Sequence, residues 1–89
     1  MHVIKQNDIS VRKIQGEIFI LDRKNSGIHT FNKVGTFIWE HLQSFTDIKE
    51  IAMAVVEQFD VDEPTATTDT IEFIRELKEK ELIYIDDTL

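Results

Sequence analysis

Gly27-Ile28-His29-Thr30-Phe31 runs straight into Asn32-Lys33-Val34-Gly35-Thr36-Phe37-Ile38-Trp39, and the hydrophobic period changes at the join. Before Asn32 it is two, the repeat of a strand. After it, Val34, Phe37, Ile38 and Leu42 recur at i, i+3, i+4 and i+8, the stripe of a helix with one face on a core. Asn32 suits the junction because its side-chain oxygen can accept a hydrogen bond from a free amide of the first helical turn. Gly35 weakens helix propensity by up to about 1 kcal/mol relative to alanine, so its place in that turn predicts close backbone packing.

Upstream of the junction lie two more strand signals. From Asp8 to Ile14 the chain alternates loosely, with Ile9, Val11 and Ile14 read as one side and Ser10 and Arg12 as the other. Gln15-Gly16-Glu17 punctuates it, and Ile18-Phe19-Ile20-Leu21 follows as a short β-prone run. Asp22 to Gly27 is a polar turn, with Gly27 available for a positive φ. The expected unit is an antiparallel meander of three strands.

Downstream, Phe45-Thr46-Asp47 predicts a second helix capped by Thr46, with Ile48, Ile51, Ala52, Val55 and Phe59 on its inner stripe. Asp60 to Pro64 breaks it, and Pro64 fits the first turn of a third helix. That helix extends to about Lys80 with Thr70, Phe73, Ile74 and Leu77 turned inward. Leu82 to Ile85 reads as a brief strand or tail. Strands followed by helices with tight links predict an α+β fold, a three-stranded antiparallel sheet followed by three helices, similar to a winged helix-turn-helix.

The chain has 89 residues, enough for one core, so residues 1–89 are read as a single domain. With 42% hydrophobic and 30% charged residues its composition is that of a globular protein. No apolar run approaches the roughly 20 residues of a membrane span, and Met1 to Ser10 lacks the apolar core of a signal peptide. The absence of cysteine excludes disulfides, thiolate metal sites and cysteine nucleophiles. A cytoplasmic location follows as the expectation.

Enzymatic chemistry finds little to stand on. His2, His29 and His41 are far apart, without the spacing of a zinc site. His2 falls in a terminus expected to fray, and His41 near the edge of a helical stripe. Ser10, Ser26 and Ser44 stand in no nucleophile elbow. Three glycines cannot build a phosphate-cradling loop. Glu72, Glu76 and Glu79 read as a solvated helix face. A chain of this size holds only about 4–13 kcal/mol of stability, little with which to hold a strained catalytic site. The expectation is a protein that is no enzyme and holds no metal or cofactor.

Charge separates the remaining possibilities. The net charge of −7 is uneven: up to Val56 there are six acids and seven bases, and from Glu57 onward eleven acids against Arg75, Lys78 and Lys80. A helix-turn-helix invites comparison with DNA-binding proteins, but the helix that would enter the groove carries Asp69, Glu72, Glu76 and Glu79, which phosphates repel. Neither nucleic acid nor membrane is an expected partner. What is left is the edge of the meander. Gly27 to Phe31 is short and β-prone, without proline or inward charge, and can accept an extended segment as an added strand.

From Val11 to Asp86 the chain resembles the PqqD family, the RiPP recognition elements. Leu21-Asp22 with Gly27 carries part of the likeness, and Phe31 to Trp39 and Asp69 to Leu77 leading to Leu82 carry the rest. Phe31 and Ile74 stand where the family has leucine, and Glu81 where it usually has glycine.

The resemblance implies a non-catalytic peptide chaperone in natural product biosynthesis. Such a protein binds the leader of a ribosomally made precursor and presents it to an enzyme such as a radical SAM protein, a leader peptidase or a cyclase. It implies that the backbone of Ile28, His29, Thr30 and Phe31 pairs with the leader, and that Thr70, Phe73, Ile74 and Leu77 form the groove wall, some of them core and some touching the leader, a division that periodicity does not decide. Trp39 is read as core or boundary and Asp69 as structural. Two other readings stay open: a docking subunit that binds no peptide, and a diverged DNA-binding regulator.

Overall fold

A computed structural model describes residues 1–42 and 46–86. Its elements are β1 (His2–Lys5), β2 (Ile9–Ile14), β3 (Glu17–Asp22), β4 (Gly27–Thr30), α1 (Lys33–His41), α2 (Ile48–Phe59), α3 (Glu63–Glu79) and β5 (Ile83–Asp86). The fold is α+β. β2, β3 and β4 form an antiparallel sheet in that order, and β1 pairs with β5 in a second, two-stranded sheet.

Turn chemistry sets the meander. Ile14 pairs with Glu17 across the two-residue loop Gln15-Gly16, both residues at positive φ, the turn whose twist matches that of the flanking strands. The β3–β4 turn is built on Asp22, whose carboxylate accepts from the backbone N–H groups of Lys24 and Asn25 at 3.1 and 3.0 Å. Positive φ falls here on Ser26, not on Gly27, which lies in β4 opposite Asp22.

Helix ends follow the same local logic. Asn32 caps α1, its Oδ1 accepting from the Gly35 N–H at 2.8 Å. Asp62 caps α3, with Pro64 in the first turn. The cap of α2 is Asp47, whose carboxylate accepts from the Lys49 N–H; Thr46 is buried one residue earlier, its N–H bonded to the Met1 carbonyl. The expected helix start at Phe45 and the candidate Ser44 lie outside the described residues.

The core gathers Ile18 and Ile20 from β3, Phe31, Ile38 and Trp39 at α1, Ile51 and Val55 from α2, and Ile74 and Leu77 from α3. Val3, Leu82 and Ile83 close it from the second sheet. The terminus expected to fray is thus placed as a strand, His2 to Lys5, paired with β5. One side-chain assignment also changes. Ile9 and Val11 share the inner side of β2, but Ile14 pairs opposite Glu17 and faces outward with Ser10 and Arg12. A strand's period of two separates positions 11 and 14, whatever their hydrophobicity.

Candidate functional site

Among the described residues, β4 is the terminal strand of its sheet, with β3 on one side only. The Phe31 N–H donates to the Ile18 carbonyl at 2.9 Å, which sets the parity of the strand. By alternation, Gly27, His29 and Phe31 direct their backbone groups to β3, and Ile28 and Thr30 direct theirs to the open edge.

α3 runs beside this edge with a cleft between. One cavity of about 270 Å³ is lined by Asn32, Val34, Gly35 and Ile38 on one wall and by Asp69, Glu72, Phe73 and Glu76 on the other. A smaller one of about 140 Å³ lies among Thr30, Phe31, Asn32, Phe73, Glu76, Leu77 and Lys80. Asn32, Phe73 and Glu76 border both, so the two are stations along a single groove.

Phe73 is its apolar centre. Its ring stands edge-on to Phe31, centroids 4.9 Å apart at 84°, and Phe31 packs on the buried Trp39 at 5.7 Å. A Cβ at position 35 would come within 2.9 Å of the Phe73 ring, which explains the glycine in the first turn of α1. Thr36 ties the helix to the sheet, its Oγ1 accepting from the Ile18 N–H at 2.9 Å.

The expected site residues divide. Thr30, Phe31, Phe73 and Leu77 line the groove, Leu77 as a floor residue only 1% exposed. Thr70 and Ile74, 0% and 4% exposed, belong to the core and are not groove wall. Their place is taken by Asp69, Glu72 and Glu76, one helical face over. Ile28 turns its side chain to the outer face of the sheet, opposite Leu21. His29 turns inward, its Nε2 4.0 Å from the Asp22 carboxylate. Asp22 is fully buried. Burial pushes its pKa up, but bonds from the Asn25 N–H and side chain, Gln6 and the Lys24 N–H outweigh this and hold it below the ordinary carboxylate value.

Sequence reasoning passed over Asn32, Val34, Asp69, Glu72, Glu76 and Lys80 as groove residues. The signal was present: 69, 72, 73, 76 and 80 recur at i, i+3, i+4, i+7 and i+11, a polar helical stripe with one phenylalanine in its middle.

The family model for coenzyme PQQ synthesis protein D (PqqD) matches residues 17–83, from the start of β3 into β5. The chain belongs to the PqqD family. Two solved structures share its fold. "TbiB1 in Complex with the TbiA(beta) Leader Peptide" superposes with a TM-score of 0.79 at 28% identity, covering 92% of this chain and 98% of that one. "Lasso peptide synthetase B1 complexed with the leader peptide" gives 0.84 at 18% identity, covering 96% and 100%. Among curated protein sequences none matches.

Proposed function

We propose that this PqqD-family chain is a non-catalytic, single-domain cytoplasmic carrier. It binds the leader of a ribosomally made precursor peptide and presents it to a modifying enzyme. The observation that carries the reading is the open edge of β4 beside a groove centred on Phe73. An added strand takes its affinity from the free backbone groups of Ile28 and Thr30 and its register from side chains entering the groove. The TbiB1 structure, 28% identical, contains a leader peptide, which supports the same role here.

The test is a titration with the leader of the short peptide encoded beside this chain, followed by backbone amide shifts. The expected result is micromolar or tighter binding, with shifts confined to residues 27–32 and 69–80. Thr30→Pro removes an outward-facing donor and leaves the β3–β4 ladder intact, so it should abolish binding in a folded protein. His29→Pro breaks that ladder itself and is expected to damage the fold. Tight binding by Thr30→Pro, or shifts away from this edge, would falsify the strand-addition reading.

A further inference from the structure

The wall that α3 lends to the groove changes sign along its length. Asp69, Glu72 and Glu76 border the larger cavity, and Lys80 closes the smaller one beyond Glu76. No ion pair among the described residues takes up any of these four charges. At about 100° per residue, positions 72, 73, 76 and 80 fall within about 60° of Asp69 around the helix. Arg75, Lys78 and Glu79 stand about 80° or more away and line neither cavity. Lys33, exposed beside Asn32 on the facing wall, lines neither cavity either. The groove is thus negative at one end and positive at the other. The acids share their cavity with Val34 and Gly35, while Lys80 shares its cavity with Thr30. α3 therefore runs opposite to β4.

We propose that the groove selects leaders in which a Lys or Arg is followed, four residues later, by an Asp or Glu. The cation sits against Glu72 and its neighbours, and the anion against Lys80. Spacing comes from the helix. Positions 72 and 80 lie about 12 Å apart at 1.5 Å per residue. On an extended strand, side chains on one face recur about every 6.7 Å, so two such steps, four residues, match that distance. Order comes from the sheet. β2, β3 and β4 are antiparallel, and an antiparallel addition lets Ile28 and Thr30 each exchange both backbone bonds with one opposite residue. A peptide so added runs from the α1 end toward Gly27 and passes the acids before it reaches Lys80. A slip of one residue turns both charges out of the groove, so the pair fixes register too. A leader with the two charges in the opposite order sets like charge against like at both ends. The inference rests on the carrier function proposed above and names the class of peptide carried.

The test is fluorescence anisotropy with the synthetic leader of the short peptide encoded beside this chain. A second peptide has the spaced basic and acidic residues exchanged. Both have one composition and one net charge, so general attraction to a chain of net charge −7 cancels. The wild type should bind the exchanged leader at least about fivefold more weakly at about 0.05 M salt, and the gap should narrow at about 0.5 M. Glu72→Lys with Lys80→Glu changes two exposed positions, keeps the net charge and should reverse the preference. The wild-type comparison decides whether or not that variant folds. Equal affinity of the wild type for both leaders overturns the charge pair and leaves the carrier function standing. So does micromolar or tighter binding of a native leader that has no such pair. A doubly substituted protein that is folded by circular dichroism yet keeps the wild-type preference also overturns it. If neither leader binds, the carrier function fails and the charge pair falls with it.

Discussion

Glu81 sits at φ +57° just past the end of α3, where the backbone completes a Schellman turn. The Leu82 N–H reaches the Leu77 carbonyl at 2.9 Å and the Glu81 N–H that of Lys78 at 3.1 Å. A left-handed residue with a Cβ costs roughly 1–2 kcal/mol, and the exposed pair Glu81 makes with Lys24 at 3.5 Å returns less than about 1 kcal/mol. Glu81→Gly should therefore raise Tm by a few degrees in a thermal melt, and a lower Tm would show that the ion pair outweighs the strain. Gly35→Ala makes the opposite trade. The helix gains up to about 1 kcal/mol of propensity, but the new methyl drives the Phe73 ring out of its place. Tm should change little while leader affinity falls about three- to tenfold; unaltered affinity would mean the ring is not the groove's anchor. Asp22 gives the pH dependence. Its folded pKa lies below the unfolded value, so its contribution is fully present above about pH 4 and is lost as pH falls through the folded value. Asp22→Asn should melt lower than the wild type at pH 7 and lose less Tm between pH 5 and pH 2. Parallel acid limbs for the two proteins would assign the transition to other carboxylates.

Among the elements, β1 joins the two ends of the chain. Val3 is 5% exposed, the strand pairs along β5, and Gln6 donates to both the Glu81 carbonyl and the Asp22 carboxylate. Removing residues 1–6 deletes that valine and with it a burial worth about 1.5–3 kcal/mol, and strips β5 of its partner. A fall in Tm of more than about 10 °C is expected, and a shift of only a degree or two would make β1 a dispensable fringe. This strand was also the least legible element. His2 to Lys5 offers four residues without a turn signal, and its partner lies about 80 positions away, beyond any local pattern. The meander and helices were legible because period, caps and breakers are local, and the errors there were of one residue or one face. Asp47 in place of Thr46 is a choice between adjacent good caps. The groove was half legible for a different reason. Thr70, Phe73, Ile74 and Leu77 do share a stripe, but a stripe on a 17-residue helix is wide enough to serve both core and cleft. Only the position of β4 shows that Phe73 and Leu77 border the cleft, while Thr70 and Ile74 lie beneath it.

At the scale of the whole molecule, charge and shape act together. The Cα trace spans 37 × 36 × 17 Å, a slab with broad faces, and the acids crowd the part of it that α3 supplies. Along the groove Asp69, Glu72 and Glu76 stand on the helical wall, while Lys80 lies at the far end beside Thr30 and Leu77. A peptide entering this field is favoured if it carries Lys or Arg near Glu72. These groups are exposed, so each contact is worth only about 0.2–1 kcal/mol and is screened by salt. Two consequences can be measured on one leader that has a basic residue at that position. Raising the salt from about 0.05 M to 0.5 M, which shortens the screening length from above 10 Å to under 5 Å, should weaken binding severalfold. Glu72→Lys should do the same at low salt and remove most of the salt dependence, with the fold unchanged because residue 72 faces water. Replacing the leader's basic residue by alanine should cost the wild type more than it costs Glu72→Lys. Equal losses in the two proteins would show that the acidic wall keeps the carrier soluble and does not select its peptide.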